Sequence, residues 1–236
     1  MYTIAKSISV GNEELDRQFG GGIPSPSMIL IEGEHGTGKS AITAQIMKGL
    51  LDANKTILCI VENNASQYIE KMKSITFNFT KPFVRDRLSF IPIYIKDAKW
   101  TESNSKQILP ELKKYITEKI KKYDCIVIDS IAPIVIYSDN QTVLEFISFC
   151  KQLVGKGKTV LISFHSSDLP KSISTAMIGV GDVYFKHGTA AIGDREVKTL
   201  RTIKLLGATD SPESGFAFDV DMIFGIKIVP VSMANA

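Results

Sequence analysis

The segment whose residue types most clearly indicate a chemical role is a glycine-rich turn between an apolar run and a helical pattern. Residues 33–40 read GEHGTGKS, the spacing of a P-loop, with a strand-like run before them and a helix-like run after them. Glycines permit a tight turn whose backbone N–H groups point at one phosphate group, and the helix start adds its positive dipole end. We therefore predict a phosphate cradle. Its residues are Gly33, Glu34, His35, Gly36, Thr37, Gly38, Lys39, Ser40 and Ala41.

Two side chains of this loop and one distant aspartate form a coherent chemical set. Lys39 is expected to reach the β- and γ-phosphates of a nucleotide, and the Ser40 hydroxyl to bind Mg²⁺. Asp129 ends the apolar run CIVID and is expected to hold a Mg²⁺-bound water. Alone, an aspartate after an apolar strand also fits a turn cap. Together the two motifs predict a site for ATP and Mg²⁺.

These residues require a scaffold in which strands and helices alternate. Strand-like runs occupy residues 27–32, 56–62, 88–95, 125–129 and 159–164. Helical patterns occupy residues 39–51, 65–74, 105–122 and 142–154. Continuous apolar strands between helices indicate a parallel sheet covered on both faces. We place Pro92 on an edge strand, and expect Pro110 to lie in the first turn of its helix or to kink it.

The chain after residue 180 changes character. Residues 180–185, 197–205, 216–220 and 223–229 read as consecutive strands, which predicts an antiparallel C-terminal extension of the sheet. The length of 236 residues allows one large domain or two small ones, and no linker is visible, so we expect a single domain over 1–236. The predicted fold class is thus α/β, a mostly parallel sheet flanked by helices.

Composition restricts the class of protein and its compartment. The net charge of +3 is too small for a strongly basic nucleic-acid binder. The three cysteines lack metal-ligand spacing and suit a reducing cytoplasm. The first residues have no apolar segment typical of a signal peptide, and no apolar stretch approaches the roughly 18 residues of a membrane span. We expect a cytoplasmic protein.

Several segments together resemble one protein family. GNEEL at 11–15, GGGIP at 20–24, VEN at 61–63, VIDS at 127–130 and KLLGATD at 204–210 are similar to the KaiC branch of the RecA-like P-loop ATPases. The resemblance spans nearly the whole chain and implies a RecA-like P-loop NTPase fold. Within this branch, the short single-domain chain is most similar to the archaellum ATP-binding family FlaH.

The resemblance also implies an assembly. Members of that family are ATP-binding subunits beneath the archaeal swimming filament. For this chain it implies a homo-oligomer, expected as a hexameric ring, with the motor's secretion ATPase and a scaffold ring protein as partners. It places the chain in the cytoplasm, peripheral to the membrane complex, and makes nucleic acid an unlikely ligand.

Two departures from the KaiC pattern bear on hydrolysis. Where that pattern has two adjacent glutamates, this chain has Glu62 and Asn63, so a candidate base remains without its acidic neighbour. Where a Lys-x-Arg segment reaches the neighbouring subunit's site, this chain has Lys204 followed by leucines. A missing arginine finger removes orders of magnitude in rate, so we expect tight ATP binding with weak or absent hydrolysis. Alternatively, Glu62 caps a helix near residue 65 and Lys204 is a surface charge.

Further residues have two interpretations each. His165 follows the strand at 159–164 and is either a γ-phosphate sensor or a hydrogen-bonded strand end. Residues 166–181 are expected to be a polar to partly apolar loop; it holds Ser174 and Thr175, which loosely resemble a phosphorylated pair, and its weak charge argues against DNA binding. Trp100 is either an exposed partner anchor or a core residue.

Other functional classes stay open at this point. One is a competent ATPase that drives a machine, and another is a recombinase-like protein that binds single-stranded DNA. A nucleotide or protein kinase is a more distant alternative, because no lid domain or acceptor site is visible.

Overall fold

The structure is a computed structural model that describes residues 5–93, 102–135, 138–193 and 195–230. Trp100 lies outside the described residues, so its two interpretations stay open. Within the described ranges, no helix combines the length and the apolar character that crossing a membrane demands.

Nine strands form one sheet in the described part of the chain. Their order is β11-β10-β9-β8-β3-β7-β6-β4-β5. The strands are β3 (Met28–Glu32), β4 (Ile57–Val61), β5 (Leu88–Pro92), β6 (Cys125–Asp129), β7 (Thr159–Phe164), β8 (Val183–Ile192), β9 (Arg195–Leu205), β10 (Gly215–Asp221) and β11 (Gly225–Val229). A separate antiparallel pair joins β1 (Lys6–Ile8) to β2 (Ile23–Ser25).

Helices cover the sheet on both faces. They are α1 (Glu13–Gln18), α2 (Lys39–Asp52), α3 (Ala65–Lys73), α4 (Thr80–Val84), α5 (Glu102–Lys119), α6 (Ala132–Val135), α7 (Asn140–Gly155) and α8 (Lys171–Val180). One face packs Ile29, Ile31 and the apolar side of α2 into a core. The other packs Met28, Leu30 and the apolar sides of α5 and α7. Because side chains alternate along a strand, β3 serves both cores and is buried throughout.

The sheet is parallel on one side and antiparallel on the other, as the sequence predicted. β3 pairs in parallel with β7 and β8, and β4 pairs in parallel with β5 and β6. β8, β9, β10 and β11 are then joined by antiparallel pairing. The expected extension is therefore confirmed, although the first of its strands, predicted over 180–185, is β8, which begins at Val183 and continues to Ile192. Pro92 lies on the edge strand β5, also as predicted.

One sequence-based expectation is wrong, and the first of the two alternatives for Pro110, a position in the first turn of its helix, is excluded. The expected loop at 166–181 contains a 3-10 turn at Ser166–Asp168 and then helix α8, whose buried Ile173 and Met177 have the i, i+4 spacing of a packed helix face. Pro110 lies well inside α5, because that helix begins at Glu102 and not at residue 105. The short elements β1, β2, α1, α4 and α6 were missed.

Two of the segments that carry the family resemblance, GGGIP at 20–24 and KLLGATD at 204–210, contact each other in the structure. Gly20 accepts hydrogen bonds from the backbone N–H groups of Thr209 and Asp210, at 3.1 and 3.0 Å. A Cβ atom on Gly20 would lie 2.3 Å from the Asp210 carbonyl oxygen, and the φ of Gly20 is +63°. Glycine is required there by both backbone conformation and close approach. The N-terminal lead-in is thus clamped to the segment after β9.

Candidate nucleotide-binding site

A cavity of about 980 Å³ opens at the carboxyl ends of the parallel strands. The P-loop after β3 contributes His35, Gly36, Gly38, Lys39, Ser40 and Ala41 to its wall. Segments that follow the neighbouring strands bring Glu62 after β4, Asp129 at the end of β6 and His165 after β7. Ligands of open α/β sheets bind at this edge. The topology therefore gathers residues that are far apart in sequence around one concave surface.

The P-loop backbone depends on glycine at two positions. Gly36 and Gly38 have φ values of +80° and +88°, a region that L side chains rarely adopt. Gly38 is the N-cap of α2, and its carbonyl oxygen accepts from the N–H groups of Ala41 and Ile42, each at 3.1 Å. A Cβ atom on Gly38 would lie 2.9 Å from the Phe218 ring, whereas one on Gly36 would meet nothing within 4 Å.

Lys39 and Thr37 fold back over the loop. The Lys39 ammonium donates to the carbonyl oxygens of Gly33 and Glu34, at 2.6 and 2.8 Å. The Thr37 hydroxyl also donates to the Glu34 carbonyl, at 2.8 Å. Partial burial lowers the pKa of Lys39, and the nearby Asp129 carboxylate partly opposes that shift. A cation held over a turn of this shape is the arrangement that a nucleotide's phosphates require, so the residues present fit that ligand.

Asp129 and Ser40 supply oxygen atoms on one side of the cavity. The Ser163 hydroxyl on β7 donates to Asp129 Oδ1 at 2.6 Å and orients the carboxylate. Ser40 is the second residue of α2 and lines the same cavity. Carboxylate and hydroxyl oxygens are suitable ligands, directly or through water, for Mg²⁺. The donor set therefore fits this ion.

Glu62 projects into the cavity from the end of β4. Partial burial raises the pKa of its carboxyl group, and the Asp129 charge raises it further, while Lys71 opposes the shift. A raised pKa brings a carboxylate closer to the range in which it accepts protons effectively at neutral pH. Asn64, not Glu62, caps α3, because its side chain accepts from the Gln67 N–H at 3.0 Å. The capping alternative for Glu62 is therefore wrong.

His165 touches the P-loop. Its Nε2 lies 2.7 Å from a Glu34 carboxylate oxygen, although the two are not aligned as a hydrogen bond. Its Nδ1 lies 2.7 Å from the Ser167 hydroxyl, and the His35 ring stands 4.5 Å away between centroids. The imidazole is buried and still lines the cavity. His165 thus contacts both the P-loop and the segment that leads into α8, and its role as a sensor stays a prediction.

Lys204 does not line the cavity of its own chain within the described residues. It lies on β9, and its ammonium donates to the Gly181 carbonyl just after α8, with the Gly179 carbonyl oxygen 3.5 Å away. A cation at the last carbonyls of a helix stabilises that end. The structure thus gives Lys204 a role within its own chain, and a contact with a neighbouring subunit stays a prediction.

Sequence reasoning missed several residues of this region, notably Lys198 on β9 and His187 on β8. Lys198 lines the cavity. His187 is buried beneath the loop, with Nδ1 3.1 Å from the Thr37 carbonyl oxygen and its ring edge-on to Phe218 at 5.8 Å. Burial lowers the pKa of His187 to about 4, so the ring is neutral at pH 7. Both residues lie on antiparallel strands. They were missed because no sequence motif indicates the register of these strands and hence which side chains reach the cavity.

Comparison with known proteins finds similar chains over nearly the whole length of this one. A family model described as "ATPase: KaiC" matches residues 8–230. The archaeal flagellar ATP-binding protein FlaH of Sulfolobus acidocaldarius is 36% identical over 97% of this chain and 99% of its own length. The protein of that name from Methanocaldococcus jannaschii is 24% identical over 96% of this chain and 97% of its own.

Solved structures agree in fold. The crystal structure of the flagellar accessory protein FlaH from Methanocaldococcus jannaschii superposes with a TM-score of 0.84 at 23% identity, covering 96% of this chain and 99% of that one. A KaiC-like protein from Pyrococcus horikoshii gives 0.75 at 16% identity, covering 96% and 100%. The predicted fold class, a RecA-like P-loop domain with an antiparallel extension, is confirmed.

Proposed function

Because this chain belongs to the KaiC family of ATPases and, within it, to the archaeal flagellar ATP-binding proteins FlaH, we propose that it binds Mg²⁺-ATP as a regulatory subunit of the archaellum motor. One observation carries the proposal: Lys39, Ser40 and Asp129 line a single cavity of about 980 Å³ at the edge of the sheet. That volume lies within the range of small-molecule sites.

The chain's own groups divide the work of binding. Backbone N–H groups between Gly33 and Ser40 cradle the phosphates, and Lys39 neutralises part of their charge. Ser40 and Asp129 hold Mg²⁺, which supplies further neutralisation of phosphate charge when it is bound. Ser163 keeps Asp129 oriented through its 2.6 Å hydrogen bond.

We further propose that hydrolysis is slow. Among the described residues, no arginine lines the cavity, and the segment after Lys204 carries leucines where the KaiC pattern has one. An arginine finger contributes roughly 10³ to 10⁵ in rate to related enzymes. Asn63 beside Glu62 cannot act as a second carboxylate. Glu62 itself is the candidate base that would set the residual rate.

Slow hydrolysis makes bound ATP suited to a switch in assembly. The proposed unit is a ring, taken as a hexamer from the family resemblance, in which Lys204 contacts the neighbouring subunit. His165 is proposed as the sensor, since it touches Glu34 of the P-loop and leads into α8. The proposed partners are the archaellum secretion ATPase and the scaffold ring protein, at the cytoplasmic side of the membrane complex.

A competent ATPase that performs mechanical work is the second candidate. The raised pKa of Glu62 favours it, because such a carboxylate is a better base near neutral pH. A DNA-binding role has less support, since α8 carries Lys171 as its single basic residue and nucleic-acid affinity depends on phosphate neutralisation.

The test is the nucleotide content of the purified protein, measured together with its turnover of added Mg²⁺-ATP. Lys39→Ala removes the loop cation. Lys48→Ala is the matched control, because Lys48 lies on the same helix but pairs with the exposed Asp52. We expect the wild type and the control to retain ATP with turnover near background, and Lys39→Ala to lose it.

Light scattering with and without Mg²⁺-ATP tests the switch in the same preparations. A nucleotide-dependent increase in mass supports it. Fast turnover that disappears in Lys39→Ala would overturn slow hydrolysis in favour of the second candidate, and absence of ATP binding by the wild type would overturn the proposed function as a whole.

A further inference from the structure

The antiparallel extension contributes a lysine of its own to the cavity, which Lys39 and Lys71 also line. Lys198 lies on β9, opposite Phe218 of β10 and Thr189 of β8. Its side chain lines the same cavity as Lys39. A Cβ atom built on Gly38 would stand 3.1 Å from Lys198 Cδ. The lysine stem therefore runs directly against the last glycine of the P-loop.

The position of this stem is supported by a rigid neighbour. The Phe218 ring is fully buried and lies 2.9 Å from the same hypothetical Cβ atom on Gly38. Phe218 is held in turn by the edge-on contact with His187. The Phe218 ring and the Lys198 stem thus lie together on the side of Gly38 where a Cβ atom would point. A long aliphatic stem packed on apolar surface leaves its charged end at the water-filled side, which here is the cavity.

The charge of Lys198 is unpaired within the described part of the chain: no hydrogen bond or ion pair engages its ammonium there. Other lysines of the chain do find carboxylates, as Lys48 does with Asp52 and Lys151 with Asp182, each at 2.6 Å. Carboxylates are present in the same cavity, at Glu62, Asp129 and Asp168, and none of them is in ion-pair contact with Lys198. An unpaired cation in a concave site attracts an anion.

We propose that Lys198 is a phosphate-binding residue that contacts the nucleotide's phosphates in cis, from the antiparallel extension. The inference rests on the proposed function and deepens it. It differs from the contact expected of Lys204, because Lys198 lines the cavity of its own chain. Of the three lysines that line the cavity, two then contact the phosphates, Lys39 in the P-loop and Lys198 beside Gly38.

The chemistry of a lysine determines what it recognises. An ammonium group acts as a point charge and reads phosphate charge, with little sensitivity to the base or the sugar. Lys198 should therefore contribute to the binding of nucleoside di- and triphosphates and leave adenosine binding unchanged. Its contribution should also decrease with added salt, because the cavity is open to solvent.

The test uses the nucleotide-free full chain and three variants. Lys198→Met keeps an unbranched stem against Gly38 and removes the charge, whereas Lys198→Arg keeps the charge. Lys227→Met is the matched control, since Lys227 is exposed on β11 and does not line the cavity. Calorimetric titrations with ADP, Mg²⁺-ATP and adenosine give the dissociation constants, and thermal unfolding checks that each variant is folded.

We expect Lys198→Met to weaken the binding of ADP and Mg²⁺-ATP by roughly tenfold or more, because a hydrogen bond between charged groups is lost. Lys198→Arg and Lys227→Met should stay within a factor of about two to three, and adenosine should bind all variants alike. Unchanged nucleotide affinity in a folded Lys198→Met protein overturns the inference. If Lys39→Ala abolishes binding at the same time, the proposed function survives that result.

A second measurement needs no variant. Acetylation of wild-type lysines with and without ADP, followed by peptide mass spectrometry, reports which ammonium groups the nucleotide covers. We expect Lys198 and Lys39 to be protected and Lys227 to react equally in both samples. Protection of Lys39 alone overturns the role of Lys198, and protection of neither overturns nucleotide binding at this loop.

Discussion

Two P-loop glycines have nearly the same φ and different surroundings, which allows packing to be separated from the strain of a positive φ. Gly36 and Gly38 have φ values of +80° and +88°. A Cβ atom on Gly36 meets nothing within 4 Å, whereas one on Gly38 meets two ring atoms of Phe218, at 2.9 and 3.0 Å. We therefore predict that Gly38→Ala destabilises the protein more than Gly36→Ala.

The magnitudes follow from these contacts. A left-handed conformation costs an alanine about 1–2 kcal/mol, and both variants incur that cost. Overpacking adds about 1–3 kcal/mol in Gly38→Ala alone, because the fully buried Phe218 ring cannot move aside freely. The free energy of unfolding should decrease by about 1–2 kcal/mol in Gly36→Ala and by about 2–5 kcal/mol in Gly38→Ala.

Urea unfolding of the nucleotide-free proteins measures both values, provided that the dependence on urea is the same in each variant. Combining Gly38→Ala with Phe218→Leu tests the cause, since a smaller side chain should make the two losses less than additive. Equal destabilisation by the two alanines, or full additivity in the double variant, would refute the reasoning. Either result would show that the Phe218 ring moves aside with no loss in the free energy of unfolding.

Three further predictions concern the histidine below the loop, the candidate base and one helix end. His187 is neutral in the fold with a pKa of about 4 and takes up a proton near pH 6.5 when unfolded, so stability should fall by up to about 3 kcal/mol as pH decreases between these values. Urea unfolding across pH should show this slope reduced in His187→Asn. Glu62→Gln should lower single-turnover phosphate release at least about 100-fold, and the wild-type rate should rise with pH as this carboxyl group, whose pKa is raised, loses its proton. Gly155→Ala should increase stability by about 0.5–1 kcal/mol in thermal unfolding, because Gly155 ends α7 in an exposed position where an added Cβ meets nothing.

The parallel half of the fold could be predicted from the sequence because each functional residue there lies at the end of an apolar strand or just beyond it, Lys39 at the far end of the P-loop after β3. Parallel strands present their carboxyl ends at one edge, so Lys39, Glu62, Asp129 and His165 had to gather once the strands were recognised. The glycine spacing predicted the tight turn for the same reason. Both signals are local, and the roles assigned to these residues stay proposals until the variants are measured.

Only the number and type of the strands in the antiparallel half could be predicted from the sequence. Its strands could be counted, but whether Lys198 or Lys204 faces the cavity depends on register, and the pairing of β8 with β9 shifts between Tyr184 and Phe185. Helix α8 was mistaken for a loop because Ser172, Ser174 and Thr175 dominate its sequence, while its packing rests on the widely spaced Ile173 and Met177. Tertiary contacts outweigh local preference in such a segment.

The position of β3 in the sheet has a consequence for synthesis of the chain on the ribosome. β3 precedes the P-loop, yet its neighbours are β7 and β8, which are translated only after most of the chain has been made. β5 and β6 each pair with β4, so these three strands can associate earlier. During translation the apolar β3 thus lacks its strand partners. Its unpaired backbone groups and exposed apolar side chains then favour aggregation and chaperone binding. The candidate nucleotide site is completed late in biogenesis, and we therefore predict that a nascent chain acquires affinity for ATP only when its C-terminal third has emerged.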